Sequence, residues 1–247
     1  MYLWLSKSKK MKSYRIYNGT KSTQSPLIEI ILYLQTFALF GLATVGLGYF
    51  KDELNHSMTY KDLSDYGLFY AMLTIVILIF FMDAWFYWTH RLLHLTPLFK
   101  KSHSVHHKFT NPTVWSGYSL HWLEGLILTM GLFVILLILP HHIISVVTYV
   151  MFSIVYTSWL HSGYELFPIK WLRHPTLKWV HTSLHHNIHP QRFDSNYSLY
   201  FTFWDKMMGT DFTRIEKYHP KFLGYSEHSD GSELAVEENT SVPLDFF

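Results

Sequence analysis

The sequence predicts an all-α integral membrane protein with about four transmembrane helices and a histidine-rich helical cap on the cytoplasmic side. Of the 247 residues, 49% are hydrophobic and only 15% are charged, a low charged fraction for a soluble domain of this length. Four segments are long and apolar enough to cross a bilayer as helices. The chain also carries 17 histidines, which cluster beside these segments.

The four apolar segments cover residues 26–50, 67–89, 122–139 and 143–160, and none has more than one acidic residue. Residues 125–164 contain no formal charge at all. Pro140-His141-His142 interrupts this stretch, and proline ends a helix, so the last two spans are predicted to form a tight helical hairpin. The alternative is that these two helices are buried in the core of a soluble protein.

Basic residues predict the orientation, because they accumulate on the cytoplasmic side of membrane spans. Six of them precede the first span, whereas the loop after it is acidic and the hairpin has none. We therefore place the basic N-terminal segment 1–25, the connection 90–121 and the chain after residue 160 in the cytoplasm. The membrane domain is predicted to cover 26–224, and the Ser-, Glu- and Gly-rich tail 225–247 is predicted to be disordered.

Composition excludes several classes of function. The formal net charge is +2, so no electrostatic attraction to nucleic acid is expected. Cysteine is absent, which excludes disulfides, thiolate metal sites and iron–sulfur clusters. Imidazole and carboxylate remain as the strong metal ligands. A zinc metalloprotease is not expected, because the chain has no His-Glu-x-x-His sequence.

Three histidine groupings lie on the predicted cytoplasmic face. They are His90 and His94; His103, His106 and His107; and His181, His185, His186 and His189. Residues at i, i+3 and i+4 share one side of a helix, so the members of each of the first two groupings can converge on one point. Imidazole clusters suit iron, zinc or copper, and three such groupings in one chain are hard to ascribe to chance.

Three further residues are assigned from their positions. Asp83 precedes His90 by seven residues on the same helical face, and an ionisable residue inside a span usually faces a site. It is predicted to accept the second N–H of a ligand histidine, although a span-end residue that reaches the interface is the alternative. His161 either binds the metal or is structural, and His121 either holds a ligand residue in place through a hydrogen bond or is structural.

These residues resemble the fatty acid hydroxylase and sterol desaturase superfamily of membrane di-iron enzymes. The resemblance extends from about Asp83 to Asp211, roughly half the chain. Its elements are residues 83–94, the box 103–107, His121 to Glu124, His161-Ser162-Gly163, Asn196-Tyr197-Ser198, Trp204-Asp205 and Gly209-Thr210. Acyl-lipid desaturases share the individual boxes, but the Asn-Tyr and Trp-Asp ending favours the hydroxylase and sterol side.

The resemblance implies two iron ions at the cytoplasmic membrane boundary, held mainly by histidine and supported by Asn196, Tyr197 and Asp205. It also implies that oxygen is reduced there with electrons from NAD(P)H, through a partner such as cytochrome b5 or a ferredoxin. An aliphatic carbon of a lipid or sterol-like substrate would become an alcohol or an alkene. The expected location is the endoplasmic reticulum in a eukaryote or the inner membrane in a bacterium.

One departure from the family pattern affects the third grouping. Counting back from Asn196-Tyr197, the family has two adjacent histidines at positions 189 and 190, but this chain has His189-Pro190. Proline also disfavours helical conformation at residue 189. The family register favours His185, His186 and His189 as ligands, whereas helical spacing favours His181, His185 and His186.

Two classes of function remain open. The first is a lipid or sterol C–H oxidase, or a related monooxygenase that acts on an ether bond or acyl chain. The second is a non-catalytic metal-binding membrane protein, such as a transporter or a decayed enzyme, which Pro190 favours. Transport is disfavoured because the histidines cluster at one membrane face rather than along a path through the midplane.

Overall fold

The structure is a computed structural model that describes residues 8, 11, 14–16, 25–53, 58–109, 113–191 and 193–212. Most of the basic segment 1–25 and all of the tail 225–247 lie outside the described residues, so their predicted properties stay predictions.

Within the residues that the structure describes, four long helices form the body of the protein, in agreement with the predicted all-α fold. We call them the first to fourth long helices: Pro26–Glu53, Gly67–Leu93, Trp122–Ile138 and Ile143–Leu160. The shorter helices are Thr96–Leu98, Ser104–His107, Lys170–Arg173, Ser183–Ile188 and Phe203–Met208. The 3-10 turns are Leu63–Asp65, Ser116–Tyr118, Leu177–Trp179 and His189–Gln191, a π-helical turn covers Phe99–His103, and the strands are Thr59–Tyr60 and His141–His142.

The long helices have the character of membrane spans. The first, second and fourth are long and apolar enough to cross a bilayer, and the third is a shorter apolar helix of 17 residues. Their bounds agree with the predicted spans except that the second long helix continues to Leu93. His90 therefore belongs to this helix rather than to the connection after it.

The two strands form a small parallel pair at the end of the long helices opposite to the histidine clusters. Thr59 pairs with His141, and Tyr60 pairs with His142. Two histidines in a hairpin between membrane spans would be expected at the solvated interface, but the structure shows otherwise. Both side chains are buried. His141 Nε2 lies 2.9 Å from the Thr59 hydroxyl, and His142 Nε2 lies 3.1 Å from the Lys61 carbonyl oxygen.

The second long helix is central, packing against the third and fourth. Gly131 permits the close approach of the third helix, because a Cβ atom there would lie 2.5 Å from the Trp85 ring. The Trp85 indole N–H also donates to the Ile127 carbonyl oxygen. This packing fixes the C-terminal end of the second helix, where the histidines begin.

Candidate metal centre

In the described part of the chain, eight histidines form two adjacent groups at one end of the long helices. Within each group the potential ligand atoms all lie within 4.8 Å of one another. The five-histidine group contains His90, His94, His103, His107 and His189, and the three-histidine group contains His106, His161 and His186. The sequence named all eight as candidate ligands, but it did not divide them in this way.

A π-helical turn divides the second grouping. Phe99–His103 is π-helical and runs directly into the helix Ser104–His107. His103 and His107 then lie in the five-histidine group, while His106 lies in the three-histidine group. The prediction that all three histidines converge on one point is therefore corrected. His103 and His107 share one group, whereas His106 belongs to the neighbouring group.

His103 lies at the centre of the five-histidine group. Its Nε2 atom is 2.9 Å from the Nε2 atom of His90 and 3.0 Å from that of His107. On the other side of the group, the Nε2 atoms of His94 and His189 are 3.1 Å apart. Ring nitrogens from three separate parts of the chain therefore point at one small volume.

Backbone and carboxylate oxygens fix the tautomer of several of these rings. The Nδ1–H groups of His90 and His189 donate to the carbonyl oxygens of Tyr197 (2.8 Å) and Ser195 (2.6 Å). His103 Nδ1–H likewise donates to Glu124 Oε1 at 2.8 Å. Since these oxygens only accept, Nδ1 carries the hydrogen and Nε2 presents its lone pair to the centre.

This arrangement fits a metal ion. In neutral rings whose Nδ1 carries the hydrogen, Nε2 is unprotonated and can only accept. The Nε2 atoms of His90 and His103 are both in this state, and they face each other at hydrogen-bond distance. Two lone pairs in this position repel unless a cation lies between them. An all-imidazole donor set suits iron, zinc or copper.

For the imidazole rings that lie outside the membrane spans, burial favours the neutral form, which is the form that binds metal. It lowers the pKa of His189 to about 3, although the Ser195 carbonyl opposes this shift, and it lowers the pKa of His161 to about 4. Burial also lowers the pKa of His106, His107 and His186, with neighbouring histidines adding to the effect. At neutral pH these imidazoles are uncharged, as metal ligands must be.

The three-histidine group has a longer nitrogen–nitrogen contact than those described in the five-histidine group. The Nε2 atoms of His106 and His161 are 3.5 Å apart, and His161 Nδ1–H donates to the Thr157 carbonyl oxygen at 2.9 Å. Gly117 packs directly against the His161 ring, since a Cβ atom at position 117 would lie 2.9 Å from His161 Nδ1. Pro190 lines a small cavity together with all three histidines of this group. The position that lacks the family's last histidine therefore borders the smaller group.

The third grouping follows neither of the two alternatives. His186 and His189 belong to different groups, and His181 and His185 belong to neither. His185 Nδ1 lies 2.9 Å from the Thr182 hydroxyl and closes the N-terminal turn of the Ser183–Ile188 helix. His181 is fully buried, and its ring nitrogens have no hydrogen-bond partner among the described residues. Neither side chain is placed to complete a group.

The role predicted for Asp83 is corrected. Its Oδ1 atom accepts the backbone N–H groups of Tyr200 (2.7 Å) and Phe201 (3.2 Å), not a histidine N–H. Asp83 thus fixes the chain after Tyr197 to the second long helix. The carboxylate that does accept the N–H of a candidate ligand histidine is Glu124, which the sequence reasoning named within the element His121 to Glu124 but gave no role. Its position as the acidic residue of an otherwise uncharged span was the available signal.

Asn196, Tyr197 and Asp205 support the centre through the backbone. Asp205 accepts the N–H groups of Tyr197 (2.9 Å) and Ser198 (3.0 Å), which holds the Tyr197 carbonyl against His90. Asn196 adopts a left-handed conformation (φ 58°) and donates from its side chain to the His185 carbonyl. His121, by contrast, caps the third long helix by accepting the Leu123 N–H, so its role is structural.

A cavity of about 190 Å³ joins both groups to the interior of the helix bundle. Its lining includes His90, His103, His106, His161 and His186, and most of the rest is apolar. Phe37 and Phe40 bring the first long helix into the wall. The candidate metal centre thus lies at one end of a chamber suited to an apolar molecule.

Glutamine at position 124 is expected to weaken metal binding at the five-histidine group by about 10–100-fold, because the negative acceptor that orients His103 becomes neutral. Metal retained by the purified protein during dialysis against increasing chelator measures this effect. Glu29→Gln is the matched control, since Glu29 is a buried carboxylate that accepts hydroxyl hydrogens from Thr113 and Ser116 instead. Equal losses in the two variants would contradict the role of Glu124.

Comparison with known proteins agrees with this geometry. The sequence profile described as fatty acid hydroxylase matches residues 75–210, more than half of the chain. Lathosterol oxidase of Mus musculus is 28% identical over 216 residues, covering 86% of this chain and 68% of its own length.

Two other relatives are similarly close. Human lathosterol oxidase is 30% identical, covering 74% of this chain and 60% of its own length. Methylsterol monooxygenase 1 of Rattus norvegicus is 36% identical over 129 residues, covering 52% of this chain and 43% of its own length. No solved structure matches the chain significantly. The matched region contains both histidine groups and the residues that orient them, and the chain belongs to the fatty acid hydroxylase family.

Proposed function

We propose that this protein is a membrane oxidoreductase that hydroxylates or desaturates an aliphatic C–H position of a lipid or sterol-like substrate with O2 and external electrons. One observation carries the proposal: two adjacent histidine groups border an apolar cavity between apolar helices. The named activities of the relatives, which are sterol oxidation, monooxygenation and desaturation, support the same reaction class.

Two iron ions, when bound, supply the redox chemistry that activates dioxygen. The five-histidine group would hold one ion and the three-histidine group the other. This chain's own contribution is to keep the imidazoles neutral, to aim their Nε2 atoms, and to enclose the lipid. Because the reaction is carried by the metal, no protein nucleophile is required.

The substrate is proposed to be a lipid because the cavity walls are mainly apolar and reach the first long helix. Electrons would come from NAD(P)H through a cytochrome b5 or ferredoxin partner at the cytoplasmic face. This orientation follows from the basic residues alone. The proposed location is the endoplasmic reticulum of a eukaryote or the inner membrane of a bacterium.

Metal analysis together with lipid analysis tests the proposal. The purified protein is expected to carry about two irons per chain. Lipid extracts of cells that express it should contain a species shifted by one oxygen or by two hydrogens, which mass spectrometry detects. His106→Ala and His186→Ala should each lower the metal content and abolish that species.

Non-catalytic metal binding is the second candidate, because Pro190 leaves only three imidazoles in the smaller group. It predicts a metal-loaded protein and identical lipid extracts with and without the gene. The same pair of measurements therefore separates the two functions, and a protein without bound metal would reject both.

A further inference from the structure

A chain of four hydroxyl groups lies in the cavity wall, away from the histidines. Tyr200 O–H donates to the Ser153 hydroxyl at 2.9 Å. The Tyr149 and Tyr200 hydroxyl oxygens are 3.3 Å apart, as are those of Tyr118 and Ser153. Tyr118, Tyr149 and Ser153 all line the cavity. These residues come from three separate parts of the sequence and converge inside an otherwise apolar chamber.

Counting hydrogens shows that this chain is incomplete. Each hydroxyl has one hydrogen to donate, so four hydroxyls joined by three bonds leave one hydrogen over. Since the Tyr200 hydrogen goes to Ser153, the Tyr149 hydrogen must go to Tyr200. The remaining hydrogen therefore sits on Ser153 or Tyr118, or on the Thr157 hydroxyl when Tyr118 donates to it, and all three groups line the cavity.

Of the other hydroxyls in the cavity wall, that of Thr157 lies beside the Tyr118 hydroxyl, whereas two further threonines do not have this property. Thr44 and Thr129 also line the cavity, but each donates to a carbonyl oxygen of its own helix, at 2.8 Å and 2.7 Å. A donor left without an acceptor in apolar surroundings costs about 1–3 kcal/mol. A ligand oxygen placed at Ser153 and Tyr118 would recover that free energy.

We propose that Ser153 and Tyr118 bind a hydroxyl or carbonyl oxygen of the lipid substrate and so select oxygenated lipids over hydrocarbons. Ser153 precedes His161 by eight residues on the fourth long helix, which is about 12 Å along the helix axis. Because one cavity reaches both places, the recognised oxygen and the oxidised carbon lie several bonds apart in the substrate. This inference rests on the proposed function for its description of the bound lipid as a substrate.

Equilibrium binding to the purified full-length protein tests the proposal without requiring turnover. The probes are a saturated sterol alcohol, the corresponding ketone and the parent hydrocarbon, each competing with a fluorescent sterol in lipid nanodiscs. The alcohol and the ketone should bind roughly tenfold more tightly than the hydrocarbon, because both accept the free hydrogen. Equal affinity for all three, as when water alone takes the hydrogen, would overturn the proposal. So would a ketone that binds only as weakly as the hydrocarbon.

A double variant locates the effect. Tyr118→Phe with Ser153→Val removes both hydroxyls that are proposed to bind the ligand oxygen, and the preference for the alcohol should fall to about twofold or less while hydrocarbon binding is kept. The control is Ser145→Ala on the same helix, whose hydroxyl donates to the Ala71 carbonyl. It should keep the wild-type preference. A preference that survives in the double variant would disprove the assignment, whereas absence of lipid oxidation would count only against the proposed function.

Discussion

The His103→Ala substitution is expected to prevent metal binding at the five-histidine group and to abolish lipid oxidation. His103 Nε2 contacts two other ring nitrogens of the group, and its Nδ1 is held by Glu124. Removing one imidazole here leaves Glu124 without the ring that it orients and opens the middle of the ligand set. Metal content should fall from about two ions per chain to about one, as measured by elemental analysis of the purified protein.

Two other histidine variants make this result specific. His174→Ala, at an exposed histidine outside both groups, should keep both metals. His186→Ala should lose only the ion of the three-histidine group, so the His103 and His186 variants should retain different ions. Full metal content in the His103 variant would contradict the assignment of His103 as a ligand.

Histidine at position 190 is expected to strengthen metal binding at the three-histidine group by roughly tenfold or more, since it adds a fourth imidazole to an incomplete donor set. Pro190 lines the same small cavity as His106, His161 and His186, so a side chain at this position faces the group. The measurement is the rate at which the second metal is lost to a chelator, compared between Pro190→His and the wild type.

Proline has backbone effects of its own, and Pro190→Ala separates them. The alanine variant releases the restriction on residue 189 without supplying an imidazole. We expect it to retain metal no better than the wild type. If Pro190→Ala and Pro190→His strengthen binding equally, the gain comes from the backbone, and the idea of an incomplete donor set is wrong.

The long helices could be predicted closely because hydrophobic length is a local property of the sequence. The spans 26–50, 67–89, 122–139 and 143–160 match the four long helices within a few residues. The extension of the second helix to Leu93 was missed because His90 and Arg91 are polar, although both continue the helix. The pairing of His141 and His142 with a strand more than eighty residues earlier left no local trace.

The composition of the centre was less predictable than its existence. Helical spacing correctly selected His90 with His94, but the π-helical turn at Phe99–His103 changes the direction of the side chains that follow. Tertiary contacts also decide between His185, which caps a helix, and His189, which reaches the five-histidine group. Asp83 and Glu124 have the same sequence signature, an acidic residue in a span, and only their partners distinguish them.

The five-histidine group draws its members from distant parts of the chain. His90 Nδ1 is held by a carbonyl 107 residues later, and His94 meets His189 across 95 residues. During synthesis, four of the five imidazoles emerge before the third and fourth long helices, and the fifth emerges after both. An ion could therefore be bound by all five histidines only after the last span has been made. Complete metal coordination would then indicate a fully assembled membrane domain.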